Sequence, residues 1–261
     1  VSAARPVYPT WIRSKRVALF WLAADALLTL GVVLAFVLHP AWLLFAALSC
    51  PFFYIAVVLT LTVHRLGPRG GDFQARIHRL LVEAVGTNGR LLDIGCGSGQ
   101  LLIRCAKAAP GRYVGLDHWG TDWEYSRAQA LQNAAVEGLR GLEFQDGTAS
   151  HLPFETGSFE RVVSCLTFHE VRDVPDKAQC LSEALRVLRP AGTFAFVDLF
   201  DDVRFFGGRS RVLGVIARAG GQVESAQNLS ELLPLGFPLN SAKVLRHAVL
   251  VRGTKAPASA G

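Results

Sequence analysis

The stretch Arg90-Leu91-Leu92-Asp93-Ile94-Gly95-Cys96-Gly97-Ser98-Gly99-Gln100 decides the fold. Leu91, Leu92 and Ile94 read as a buried strand, and the apolar Leu101, Leu102 and Ile103 resume at helical density after the glycines. Strand, glycine turn and helix bring backbone N–H groups and a helix N-terminus against a ligand. Glycine is needed where a Cβ would block that approach or where φ is positive. The spacing separates two ligands. A dinucleotide turn reads G-x-G-x-x-G, and counted from Gly95 its third glycine would fall on Gln100. The stretch is instead G-x-G-x-G, preceded by the acid Asp93.

Downstream, strands expected at 90–94, 113–117, 142–145, 161–166 and 193–199 alternate with helices at 100–109, 121–137 and 176–188. Residues 222–255 should return as the last two strands. The pattern predicts an α/β fold: a Rossmann-like, doubly wound, mostly parallel seven-stranded sheet. Ligands in such sheets sit at the carboxyl ends of the strands. Asp117 ends the second strand, where a carboxylate accepts from both ribose hydroxyls of a nucleoside; a helix N-cap is the plainer reading. Asp146-Gly147-Thr148 ends the third strand and reads otherwise as a surface turn.

Asp93-x-Gly95-x-Gly97-x-Gly99 resembles motif I of the class I S-adenosyl-L-methionine (SAM)-dependent methyltransferases. Leu188-Arg189-Pro190-Ala191-Gly192 resembles the turn before that family's fifth strand. The resemblance runs from about residue 90 to 199 and is nearest the type 11 subgroup, which includes quinone C-methyltransferases. It implies SAM as cofactor and a site drawn from Asp93, Gly95, Cys96, Gly97, Gly99, Asp117, His118, Trp119, Asp146, Gly147, Thr148 and Ser164. In the family an acid at the place of Asp146 accepts from the adenine amino group. Residues 118–126 depart from the usual family pattern, which leaves Trp119 with two roles, covering the nucleoside or packing the next helix. Thr121 and Glu124 there can form a capping box.

Methyl transfer from a sulfonium is an in-line displacement that needs positioning and an acceptor able to lose a proton. His169, just past the fourth strand, is the candidate base; the alternatives are orienting the SAM methionine end or capping the next helix. Glu170 and Asp198 are weaker candidates. The fourth strand ends in Ser164-Cys165-Leu166-Thr167, without the Asn/Asp-Pro-Pro-Tyr of amino-group methylation on nucleobases. Cys165 is not preceded by Pro, which disfavours the covalent cytosine mechanism, and Ser164 stands where the magnesium-dependent catechol type carries Asp. No metal site is expected, and no basic stripe interleaved with aromatics suggests nucleic acid. A SAM-binding sensor without catalysis remains the rival from another class, and the glycine spacing disfavours a nicotinamide-dependent oxidoreductase.

The chain of 261 residues is 51% hydrophobic and only 18% charged. That excess is concentrated. Residues 17–63 hold one acid, Asp25, and no Lys or Arg. Segments 17–38 and 41–63 are each long enough to cross a bilayer as a helix, and His39-Pro40 makes them a hairpin. The first is too long for a secretory signal, and a second follows at once. An Asp at a helix centre costs roughly 2.5–3.5 kcal/mol, but each Leu, Val or Phe contributes about 0.3–0.6 kcal/mol towards insertion, so insertion wins. Asp25 lies level with Tyr54, so the two are expected to share a hydrogen bond; a local water defect is the alternative. Arg5, Arg13, Lys15 and Arg16 before the hairpin, and Arg65, Arg69, Arg76 and Arg79 after it, put both ends in the cytoplasm. Tyr8, Trp11 and Trp42 sit where interfacial aromatics belong.

The expected organisation is a basic N-terminus (1–16), a membrane hairpin (17–63), a linker and amphipathic helix (64–89), a methyltransferase domain (90–255) and a tail (256–261). The expected partners are the lipid bilayer and a small hydrophobic substrate, with oligomeric state open. The net charge of +6 needs no nucleic acid, because residues 1–16 alone hold four basic side chains and no acid, which suits an anionic membrane surface. Five cysteines without a C-x-x-C pair fit a reducing compartment. The lack of any Met points to a trimmed or alternatively started N-terminus. Residues 200–221, with Arg209, Arg211 and Arg218 among apolar residues, read either as a basic lid near the bilayer or as an ordinary helix on the sheet.

Overall fold

Seven strands form one sheet in a computed structural model that describes residues 5–86, 89–120 and 123–257. The chain divides into two units, residues 9–75 and a larger unit of residues up to 8 together with 76 onward.

In the larger unit the strands are β1 (Gly89–Ile94), β2 (Gly111–Asp117), β3 (Glu143–Asp146), β4 (Phe159–Cys165), β5 (Leu188–Asp198), β6 (Gly221–Asn228) and β7 (Val249–Lys255). Their order is β3-β2-β1-β4-β5-β7-β6. β1 to β5 pair in parallel, and β7 runs antiparallel between β5 and β6. The order reverses between β1 and β4, so the crevice falls at the end of β1, where the glycines begin. Leu92, Ile94, Val162, Phe194 and Phe196 are wholly buried, as the apolar runs require of strands covered on both faces.

Two sequence expectations shift here. The helix expected at 121–137 starts later: it spans Arg127–Val136, and the hydroxyl of Ser126 caps it by accepting Gln129 N–H at 3.2 Å. Thr121 of the expected capping box lies outside the described residues. The basic-lid reading of 200–221 gives way to the ordinary helix. The helix Arg209–Arg218 buries Val212, Val215 and Ile216 in the core. Arg209 is held by Asp201 at 2.6 and 2.8 Å, and Arg211 by Asp176 at 2.7 and 3.1 Å, which leaves little free positive charge.

In the smaller unit, α1 (Ser14–Val37) and α2 (Leu43–Leu66) pack antiparallel through a 3₁₀ turn at Pro40–Trp42. Their contact uses small residues: Ala24, Gly31, Ser49 and Ala56 are buried. Trp21 Nε1–H donates to Thr60 Oγ1 at 3.0 Å. Leu19, Leu22, Phe36 and Leu44 face outward, between 63 and 87% exposed. Asp25 and Tyr54 are both exposed, and among the described residues no hydrogen bond joins them, contrary to the expected pair. A Cβ on Gly31 would overlap Ala46 N and come 3.1 Å from Ala46 Cα. Gly31→Ile should therefore spread the helices. Cross-linking of cysteines placed at 24 and 56 should fall sharply, and unchanged cross-linking would refute this packing.

Candidate active site at the sheet switch point

Positive φ is the first property of the loop after β1: Gly95 has φ +77°, Gly97 +53° and Gly99 +81°. L-residues avoid this region. The second property is crowding. A Cβ at Gly95 would overlap Thr167 Oγ1 and Cγ2, and one at Gly97 would meet the Tyr125 ring at 3.2 Å. The third is the direction of its amides. Gly95 and Cys96 N–H donate to Leu116 O at 2.7 and 3.1 Å, Gly97 N–H to Asp117 Oδ2 at 2.8 Å, and Gly99 N–H to Cys96 O at 2.8 Å. Four of the five N–H groups from Gly95 to Gly99 are thus spent on β2 and on the loop itself. It offers close approach, not an anion cradle.

Carboxyl groups gather at the strand ends. Asp93, near the end of β1, is 1% exposed, and its Oδ2 has no partner. Burial, then the neighbouring charge of Asp117, push its pKa up to about 8, against a hydrogen bond from Leu102 N–H. Asp117 ends β2 and also binds Trp119 N–H at 3.0 Å through Oδ1. Burial raises its pKa, and the N–H groups of Trp119, Gly97 and His118 oppose that rise. Asp146 lies beside Asp117 in the register of β3 and is exposed. Gly147 N–H donates to Asp117 O at 3.0 Å, and Thr148 Oγ1 lies 3.0 Å from Ser150 Oγ.

Aromatic residues surround the loop. Trp119 takes φ +37° and donates its indole N–H to Gly97 O at 2.9 Å. Trp123 stacks on Tyr125 at 5.6 Å, the ring that packs on Gly97. His118 is exposed. Cys96 is buried, which pushes its thiol pKa up, and its sulfur lies over Gly115, where a Cβ would come 2.7 Å away. Ser164 is wholly buried and donates to Ile94 O at 2.9 Å, so its hydroxyl ties β4 to the end of β1.

Past β4, Leu166 takes φ +54° and donates its N–H to Val197 O at 2.7 Å. That left-handed residue turns the chain so that Thr167 meets Gly95 and His169 meets β5. His169 Nδ1 lies 2.6 Å from Asp198 Oδ1, and Nε2 lies 3.5 Å from Glu170 Oε1. Burial works against the charged imidazole, but the Asp198 carboxylate and then Glu170 outweigh it and raise its pKa to about 10. The two carboxylates thus favour the charged imidazole of His169, which suits a hydrogen-bond donor and positive charge more than a base. Thr167 gave no signal in the sequence. Tyr125 stands in the segment that departs from the family pattern, and its packing on Gly97 was not legible there.

The fit to known proteins follows this geometry. Residues 92–196 match the family model of a methyltransferase domain, the type 11 family. Demethylmenaquinone methyltransferase of Lactiplantibacillus plantarum is 32% identical over 135 residues, 51% of this chain and 51% of the relative. The phthiotriol/phenolphthiotriol dimycocerosates methyltransferase of Mycobacterium leprae is 34% identical over 129 residues, 47% of this chain and 42% of that one. This chain spans about half the length of the curated relatives it matches. Among solved structures, geranyl diphosphate methyltransferase in complex with SAM shares the fold, with a TM-score of 0.57 at 15% identity over 74% of this chain and 89% of the other. Residues 92–196 are a SAM-dependent methyltransferase domain of the type 11 family.

Proposed function

We propose that this chain is a membrane-anchored methyltransferase that moves a methyl group from SAM to a small hydrophobic acceptor. The observation that carries the choice of cofactor is the loss of the loop's amides to Leu116, Asp117 and Cys96. A pyrophosphate needs such donors free. A ligand with a sulfonium, an ammonium and a ribose diol needs acceptors, which Asp117 and Asp146 supply, and its positive charge favours the ionised form of Asp93, whose pKa burial and Asp117 otherwise push up to about 8. The unpartnered, buried Asp93 Oδ2 fits a cationic ligand for the same reason. SAM supplies a methyl group on a positively charged sulfur, which departs as a neutral thioether.

Asp117, fixed by two backbone donors, accepts from the ribose hydroxyls, and Asp146 on the adjacent strand from the adenine amino group. Trp119, pinned to Gly97 O, covers the nucleoside. The His169 imidazolium, anchored by Asp198, stabilises the negative charge that an acidic acceptor carries once its proton has passed to water. The hydrophobic acceptor is supported by the substrates named for the relatives, a demethylmenaquinone and a phthiotriol lipid. The anchor is supported by two 24-residue helices with outward apolar side chains. Both ends of the hairpin face the cytoplasm on this reading, where SAM is available.

Membranes containing the chain and SAM labelled on the methyl group should transfer label into the lipid extract. SAM binding without label in any extract component would replace the enzyme with a sensor. After an alkaline carbonate wash the chain should stay with the membrane pellet, and its release would remove the anchor from this reading.

A further inference from the structure

Asn133 joins two segments that the proposed site does not otherwise connect. It lies within the helix Arg127–Val136 and is 2% exposed. Its amide group is fully used. Oδ1 accepts Val7 N–H at 2.8 Å, and Nδ2 donates to Val7 O and to Ser98 O, each at 2.9 Å. Ser98 belongs to the glycine loop, and Val7 lies ahead of α1. Further bonds fasten this segment. Gln129 Nε2 donates to Val7 O at 3.0 Å, and Tyr8 O–H donates to Glu137 Oε1 at 3.1 Å. Glu137 also pairs with Lys107 of the helix Gln100–Ala108 that follows the loop. Tyr8 is therefore engaged with the catalytic unit, where the sequence had suggested an interfacial aromatic.

Two physical points give this arrangement weight. Asn is a poorer helix former than Ala, and a buried amide is tolerated only when its hydrogen bonds are made. Here they are made to one loop carbonyl and to both backbone groups of Val7. The Val7 side chain is 59% exposed, so apolar burial does not hold the segment; its backbone bonds do.

We propose that Asn133 is a positioning residue of the SAM site, and that residues 5–8 form a strap that sets the shape of the glycine loop through it. This rests on the SAM reading given above. The segment before the first apolar helix is then part of the cofactor site and not a loose basic tail. With the strap in place, Ser98 O is fixed from one side, while Leu116 and Asp117 fix the loop amides from the other.

The test uses the full chain in detergent micelles, with Asn133→Leu, Val7→Pro and the double variant. Val7→Pro removes the N–H donated to Asn133 and leaves Asn133 itself in place, so it serves if Asn133→Leu does not fold. SAM affinity is read by calorimetry, and loop order by hydrogen exchange at the amides of Gly95, Cys96, Gly97 and Gly99. Asn133→Leu should weaken SAM binding about 10- to 100-fold and Val7→Pro about 3- to 10-fold, as expected for losing several bonds or one. Exchange at the four loop amides should quicken in both variants. The double variant should match Asn133→Leu, because the strap acts through that residue. Effects that multiply in the double variant, or wild-type exchange and affinity in folded single variants, would overturn the proposal. If the wild-type chain binds no SAM, the cofactor reading falls, and the exchange data alone still decide whether the strap orders the loop.

Discussion

Gly95→Ala is expected to weaken SAM binding at least about 100-fold, or roughly 2.8 kcal/mol at 1.4 kcal/mol per decade. Two penalties combine at this position. The backbone holds φ +77°, which costs an L-residue about 1–2 kcal/mol. The new Cβ also overlaps Thr167 Oγ1 and Cγ2 and comes 2.6 Å from Thr167 Cβ. Thr167 cannot simply retreat, because its hydroxyl donates to Cys165 O at 3.2 Å and it follows the left-handed Leu166. The relief left is to move the loop, and that pulls Gly95 and Cys96 off Leu116 O and Gly97 off Asp117. Gly138→Ala is the control. Its φ is +73°, but no atom lies within 4 Å of its Cβ, so it should lower stability by about 1–2 kcal/mol and leave SAM affinity alone. Thr167→Gly combined with Gly95→Ala should recover part of the lost affinity. A Gly95→Ala protein that binds SAM as wild type does would refute the close-approach role of the loop.

The parts legible in the sequence share one property: they are local. Asp93 to Gly99 carries its own strand, turn and helix start, and the alternation after it dictates a parallel sheet with its crevice at the glycine loop. The parts that escaped depend on residues far apart in the chain. Asp198 and His169 meet because β4 and β5 are parallel neighbours, and that register places their ends together across 29 positions. The sequence can show a His after a strand, but not that a buried carboxylate awaits it and favours its charged form. Arg209 and Arg211 read as a basic face until the fold supplies Asp201 and Asp176. Asn133 left a faint trace, a polar side chain on the buried face of a helix, yet its partners lie 35 and 126 residues away. Ser126 caps the helix that begins at Arg127, and Thr121 lies outside the described residues. Nothing in the local residues distinguishes those two positions.

Asp198→Asn should be the most destabilising conservative change at the site, and it separates the two roles open to His169. Asp198 is wholly buried and accepts three N–H donors: Phe168 N–H at 2.8 Å, Leu199 N–H at 2.7 Å and His169 Nδ1 at 2.6 Å. An amide carries one acceptor oxygen and presents an NH₂ group to a remaining donor. It also leaves the imidazolium without its counter-charge. Removing one partner of a buried pair costs about 3–5 kcal/mol. At roughly 2–4 °C per kcal/mol for a domain of this size, the melting point should drop on the order of 10 °C. The pH dependence has a definite sign. The folded pKa of His169, about 10, lies above the unfolded value of about 6.5. Between these values the folded chain keeps a proton that the unfolded chain releases, so this contribution is complete below pH 6.5 and disappears as the pH rises through about 10. In Asp198→Asn the folded pKa falls back towards 6.5, so that alkaline loss should be smaller and end at lower pH. Turnover follows the same proton. If the imidazolium stabilises an anionic acceptor, the wild-type rate holds on the alkaline side until about pH 10 and then falls, and Asp198→Asn moves the fall towards neutrality. If neutral His169 were the base, the wild-type rate would climb through pH 10, and Asp198→Asn would make it climb earlier. His169→Gln should lower the rate by about 100-fold or more at neutral pH, in the range seen when a group that stabilises developing charge is removed. An unchanged rate in His169→Gln would show that the pair only braces β4 against β5.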